Sequence, residues 1–138
     1  MTTGVLGTAA RQDPRQVTNT MKKTINFNDA ATGVAVPFAN YLPQGAYLTG
    51  VWVEVVTAFN GTTPTVTVGI SGGAANSIVA AADVTWTAAA PAINIARALG
   101  RALTAAADVL PTATWNATGA PTTGQAIVVL EFEGGWLS

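Results

Sequence analysis

Histidine and cysteine are both missing from the 138 residues of this chain. Without cysteine there is no disulfide framework and nothing that points to an oxidising compartment. Without histidine the commonest general base, the usual catalytic triads and most transition-metal sites are lost together. Charge is scarce as well, at 9% of residues against roughly 25% in an ordinary globular domain. No apolar run approaches the length of a membrane span, and no glycine-rich phosphate loop with its lysine is present. The opening MTTGVLGTAARQDPR has no charged region followed by an apolar one, so no signal peptide is expected. An enzyme is not expected, nor any cofactor or metal.

What remains is apolar in an unusual way. Hydrophobic residues reach 49%, largely as alanine, while threonine and glycine fill much of the rest. A disordered chain would be poorer in apolar residues and richer in charge. A surface of Thr, Asn, Gln, Ser and Ala suits lasting contact with protein neighbours. The length fits one domain. A net charge of −1 argues against nucleic acid as the main partner. The few charges are unevenly placed, with a net of +3 over residues 1–23 and −4 over residues 24–138.

The clearest secondary-structure signal runs from Gly45 to Ser71. In 47–59 the odd positions Tyr47, Thr49, Val51, Val53, Val55, Thr57 and Phe59 are all β-branched or aromatic, and in 65–71 Val66, Val68 and Ile70 alternate with Thr65, Thr67 and Ser71. Period-two alternation of such residues marks strands. Asn60-Gly61 and Pro64 between them suggest a turn, hence an antiparallel hairpin. Further strands are expected at 23–28, with Ile25 and Phe27 inward, and at 34–38, where Pro37 favours an edge. Others are expected at 78–81, at 83–87 with Trp86 inward, and at 109–115, which Pro111 also assigns to an edge. The last, 125–136, has Ala126, Val128, Leu130 and Phe132 on one side. Residues 88–91 read as a linker. In 93–110, Ile95, Leu99, Leu103, Ala106 and Leu110 recur at helical spacing, which suggests a short helix or an irregular crossing. Together these imply an all-β fold, an antiparallel β-sandwich or jelly-roll-like barrel over 23–138. Residues 1–22 form an N-terminal arm, extended or ordered on a partner.

Several local patterns imitate chemistry. Gly69-Ile70-Ser71-Gly72-Gly73 matches the nucleophile-elbow string, yet there is no base for the serine and no helix signal after it. Glu131 and Glu133 share a strand face, as two surface carboxylates would. Asn26, Asn28 and Asp29 offer oxygens without the spacing of a calcium loop; turn chemistry accounts for them. Asn60-Gly61-Thr62 and Asn116-Ala117-Thr118 match glycosylation sequons that nothing else supports. The tryptophans, Trp52, Trp86, Trp115 and Trp136, belong in the core or at subunit contacts, although Trp52 lies on the less consistently apolar face of its strand.

Two segments carry a family resemblance. Residues 66–76 hold a Thr-Val-rich strand ending in Val-Gly-Ile-Ser-Gly-Gly with an Asn-Ser turn, followed by an Asp-Val-Thr strand. Residues 124–132 close with Gly-Gln-Ala-Ile-Val-Val-Leu-Glu-Phe. With the Ala/Thr/Gly-rich profile, the chain resembles small virion proteins of tailed bacteriophages, most of all head decoration or capsid cement proteins. That resemblance implies a homo-oligomer, a trimer before a dimer, on the capsid exterior, with the major capsid protein as partner and no membrane. Arg11, Arg15, Lys22 and Lys23 would then meet acidic capsid surface, and Trp136 and Leu137 would form a docking tail. A receptor- or glycan-binding module of a head fibre or tail, and a minor tail or connector protein, stay open as alternatives.

Overall fold

The computed structural model describes residues 18–95 and 104–134. Among these residues seven strands form two antiparallel sheets packed face to face, a β-sandwich. They are β1 (Asn19–Asn26), β2 (Ala35–Pro37), β3 (Tyr47–Thr57), β4 (Thr62–Ile70), β5 (Ala90–Asn94), β6 (Pro111–Thr118) and β7 (Gln125–Glu133). One sheet has the order β1-β7-β3-β5 and the other β2-β6-β4.

β7 forms where its alternation places it. Ala126, Val128, Leu130 and Phe132 are buried, and the strand lies between β1 and β3 in the middle of the larger sheet. Its inner face meets Val51, Val53 and Val55 of β3, with Val66, Val68, Ala113 and Trp115 closing the core from the smaller sheet. Each large apolar side chain held there contributes roughly 1.5–3 kcal/mol. Ile25 is buried and Phe27 packs at the margin of the core, both inward as their spacing requires. Trp86 is buried beside Phe59, edge to face at a centroid distance of 6.1 Å, and its indole N–H donates to the Ala81 carbonyl at 2.9 Å.

The hairpin expected over Gly45–Ser71 does not form. Both strands exist, but β3 pairs with β5 and β7 while β4 pairs with β6. The link between them crosses from one sheet to the other. Alternation reports that one face is buried, and two strands facing each other across a core satisfy it as well as two side by side. Phe59 makes the crossing by diving into the core, where it is 2% exposed. Asn60 then fastens the crossing to the loop before β7. Its Oδ1 accepts from the backbone N–H groups of Thr122 (2.7 Å) and Thr123 (3.0 Å), and its Nδ2 donates to Thr122 Oγ1 at 2.9 Å. Asn60→Ala should therefore cost about 1–2 kcal/mol in urea unfolding. Asn60→Asp, which keeps the acceptor, should recover most of that loss.

Other boundaries move for identifiable reasons. β1 begins at Asn19 rather than Lys23, so the last four residues assigned to the arm, Lys22 among them, are strand paired with β7. Bulges shift the register of β3 between Leu48 and Gly50 and again between Val55 and Thr57. An extra residue reverses the side-chain phase, so Leu48 is buried while Tyr47 and Thr49 face out. Val34, expected inward, is 49% exposed. β2 does lie at an edge with Pro37 exposed. Pro111, by contrast, is the first residue of a central strand, a position where a missing N–H removes no essential ladder bond; its carbonyl accepts from Phe38 N at 2.9 Å.

No strand forms over 78–81 or 83–87. Val79 makes an isolated bridge to Val68, and 81–83 is a single 3-10 turn held by Asp83 Oδ2 accepting from Ala80 N at 2.8 Å. The stretch read as a linker, 88–91, instead runs into β5. The described ends of the 93–110 segment are not helical, since 93–94 belong to β5 and Val109 bridges Leu42; residues 96–103 lie outside the described chain. Gly69-Ile70-Ser71 is the end of β4 running into a glycine turn.

Candidate interaction surface

Of the residues expected to contact a partner, Arg11, Arg15, Trp136 and Leu137 lie outside the described residues. Lys22 and Lys23 sit in β1, an edge strand of the larger sheet, where Lys22 is exposed and Lys23 half-buried on the other face. Lysines in such a position keep an open edge from pairing indiscriminately.

The outer face of that larger sheet holds a patch that no single segment reveals. The register sets Tyr47 beside Glu133, Gly50 beside Glu131, Trp52 beside Val129 and Glu54 beside Ile127. Since Val51, Val53, Leu130 and Val128 point into the core, these eight point out. β1 adds Thr20, Lys22 and Thr24 to the rows of Glu131, Val129 and Ile127, and β5 adds Asn94 beside Trp52. Tyr47 is 52% exposed, Val56 41% and Trp52 37%. Gly50 leaves room at the centre. A Cβ there would stand 2.9 Å from Glu131 Oε2 and 3.1 Å from Trp52 Nε1, so carboxylate and indole close over the glycine from two sides.

Aspartate and glutamate are used differently. The described aspartates hold turns: Asp29 Oδ2 accepts from Asn26 N at 2.8 Å, and Asp108 Oδ1 from Gln44 N at 2.6 Å, alongside Asp83. Asn26 and Asp29 are thus bonded to each other within a turn, and no group of three or more acidic side chains placed to hold a metal ion occurs among the described residues. All three glutamates, Glu54, Glu131 and Glu133, instead occupy the outer face around Trp52. The signal was present in the sequence, because each glutamate falls on the outward phase of its strand. Bringing them together required the pairing of β3 with β7.

The opposite surface has another character. Thr65, Thr67 and Asn116 are partly exposed on β4 and β6, opposite in phase to the core residues Val66, Val68, Ala113 and Trp115, while Thr112 and Thr114 on the same side of central β6 are buried. Thr32, Gly33, Thr63, Thr65, Asn116, Ala117 and Thr118 line a shallow open hollow there. Its hydroxyls largely serve the fold: Thr32 Oγ1 accepts from Ala117 N at 3.0 Å, and Thr118 Oγ1 donates to Thr62 O at 3.3 Å.

Trp52→Ser should leave the free energy of unfolding within about 1 kcal/mol, since the side chain is partly solvated; paired thermal melts of the two proteins would check it.

No family model matches the sequence, and no curated protein does. Two solved structures contain chains of similar fold. One belongs to the cyanophage Pam1 capsid asymmetric unit, with a TM-score of 0.64 and 20% identity over 83% of each chain. The other comes from an acidic stable capsid structure of Helicobacter pylori bacteriophage KHP30, with a TM-score of 0.53 and 20% identity over 84% of this chain and 86% of that one. At that identity the likeness is one of fold.

Proposed function

We propose that this chain is a structural virion protein of a bacteriophage, specifically a decoration or cement protein that binds the outside of the head and stabilises contacts between major capsid subunits. The observation that carries the reading is that both structural neighbours come from phage capsids. Coverage is nearly equal on both sides of each comparison, at 83% and 83% in the first, so the matched capsid chains are close to this one in length. The residue chemistry agrees: a stiff sandwich without histidine, with carboxylates spread over a sheet face, is built for contact.

Stabilisation in this reading is additive. Each copy covers a seam between shell subunits, and repetition over the head turns modest contacts into a large total. Lys23 on the open edge of β1 meets acidic shell surface, Trp136 and Leu137 serve as a docking tail, and copies associate as trimers. Around Trp52 the face holds carboxylates and aliphatic side chains, with Tyr47 the other exposed ring of β3, a mixture suited to a protein partner.

An image of the intact particle at side-chain resolution tests this. The expected result is the sandwich on the exterior, above junctions of capsid subunits, and heads stripped of it should disassemble at lower temperature. Finding the chain in a fibre, the tail tube or the connector would overturn the decoration role.

A further inference from the structure

The outer face of the larger sheet has a charge sequence as well as a net charge. Along β7, Glu131 is four residues from Ile127, whose neighbour on β3 is Glu54; midway lies the row Lys22–Val129–Trp52. Negative, positive, negative thus succeed one another over about 13 Å of strand, four residues at roughly 3.3 Å each. Stacking two such faces on one another would set carboxylates against carboxylates, so the face is not suited to packing on its own copy.

The chain contains the complement. Arg11, Asp13 and Arg15 run positive, negative, positive at alternate positions. In an extended segment all three point to one side, with the arginines the same roughly 13 Å apart. Pro14 favours that conformation, because the residue before a proline is held extended. Guanidinium groups also suit this face chemically, pairing with carboxylates through two hydrogen bonds and stacking on indole.

We propose that the face around Trp52 binds the Arg11–Arg15 segment of a second copy of this chain, with one arginine at Glu131, the other at Glu54 and Asp13 over the Lys22 row. Only Gln16 and Val17 separate Arg15 from Thr18, whose hydroxyl donates to Glu133 Oε1 at 2.9 Å at the end of the same face. A packed layer stands about 10 Å above a sheet, and the three steps from Thr18 to Arg15 reach only about 10 Å when fully extended. The link is used up in rising and cannot also carry the segment inward over its own face, so the occupant comes from another subunit. The contact is heterologous, segment to face, and closes into a ring or runs on as a chain of subunits. Arg11 and Arg15 then link copies to one another rather than to the shell. The inference concerns the free protein and does not need the capsid role to hold.

Sedimentation velocity on the full chain provides the test, with Arg11→Glu/Arg15→Glu as one variant and Glu54→Arg/Glu131→Arg as the other. Wild type should self-associate, less so at high salt. Each variant alone should associate at least about tenfold more weakly. An equimolar mixture of the two should recover association as a mixed complex, since the reversed segment now matches the reversed face. The segment variant changes nothing in the sandwich, so it reports even if the face variant folds poorly. A wild type that stays monomeric, a segment variant that associates as wild type does, or a mixture of folded variants that stays apart would each overturn the proposal.

Discussion

Replacing Phe59 by alanine is expected to cost the sandwich about 3–5 kcal/mol, the range for removing a buried aromatic side chain. The ring is 2% exposed and is held between two tryptophans, at 6.1 Å from Trp86 and 4.8 Å from Trp115. It also stands where the chain passes from β3 to β4, its N–H donating to the Trp86 carbonyl at 2.9 Å. The cavity would therefore open at the junction of both sheets and the 81–86 segment, leaving each indole without its main neighbour. Against a total stability of about 5–15 kcal/mol, such a loss should leave a visible unfolded fraction at moderate temperature. Phe59→Leu should cost markedly less. Equilibrium urea unfolding decides it, and a cost below about 1 kcal/mol for the alanine variant would show that the crossing is anchored elsewhere.

The second large effect is expected from the smallest addition, Gly124→Ala. Gly124 has φ +146°, a region that side chains rarely enter. A Cβ there would fall 2.6 Å from both Cγ and Cε1 of Phe59 and closer still to Cδ1. Backbone movement is restricted, because the Gly124 carbonyl accepts from Phe27 N at 3.1 Å and β7 starts at the next residue. Overpacking of this kind adds to backbone strain, and together they should amount to about 3 kcal/mol. The two sites meet directly, so their effects should not add. Combining Gly124→Ala with Phe59→Leu should be less harmful than the sum of the single changes by about 1 kcal/mol. Simple additivity would mean that the methyl group is accommodated away from the ring.

Strands could be read from this sequence better than their partners could. β7 was legible because Ala126, Val128, Leu130 and Phe132 face a core on one side only, and β3 and β4 were visible for the same reason. That signal says nothing about which strand lies alongside, so two strands in different sheets resembled a hairpin. The bulge at Thr49 was invisible because one additional residue looks like any other until its neighbour strand is known. β5 has no alternation to recognise, being a short edge strand of Ala, Pro, Ala, Ile and Asn with mostly exposed side chains. The candidate surface escaped for a related reason. Glu54 and Glu131 are 77 positions apart in the chain and join one patch only through the β3–β7 ladder.

The pairing of β1 with β7 also sets an order of events during synthesis. Asn26 and Gln125 are hydrogen-bonded across a separation of 99 residues. At ribosomal speeds of about 5–20 residues per second, the earliest strand waits roughly 5–20 s before its mate leaves the exit tunnel. Throughout that interval Met21 and Ile25 are uncovered, and two adjacent ammonium groups, on Lys22 and Lys23, interrupt what would otherwise be a sticky ribbon on a nascent polypeptide. Whatever those lysines do in the folded protein, their first service is to keep an orphan strand from joining its neighbours on the polysome.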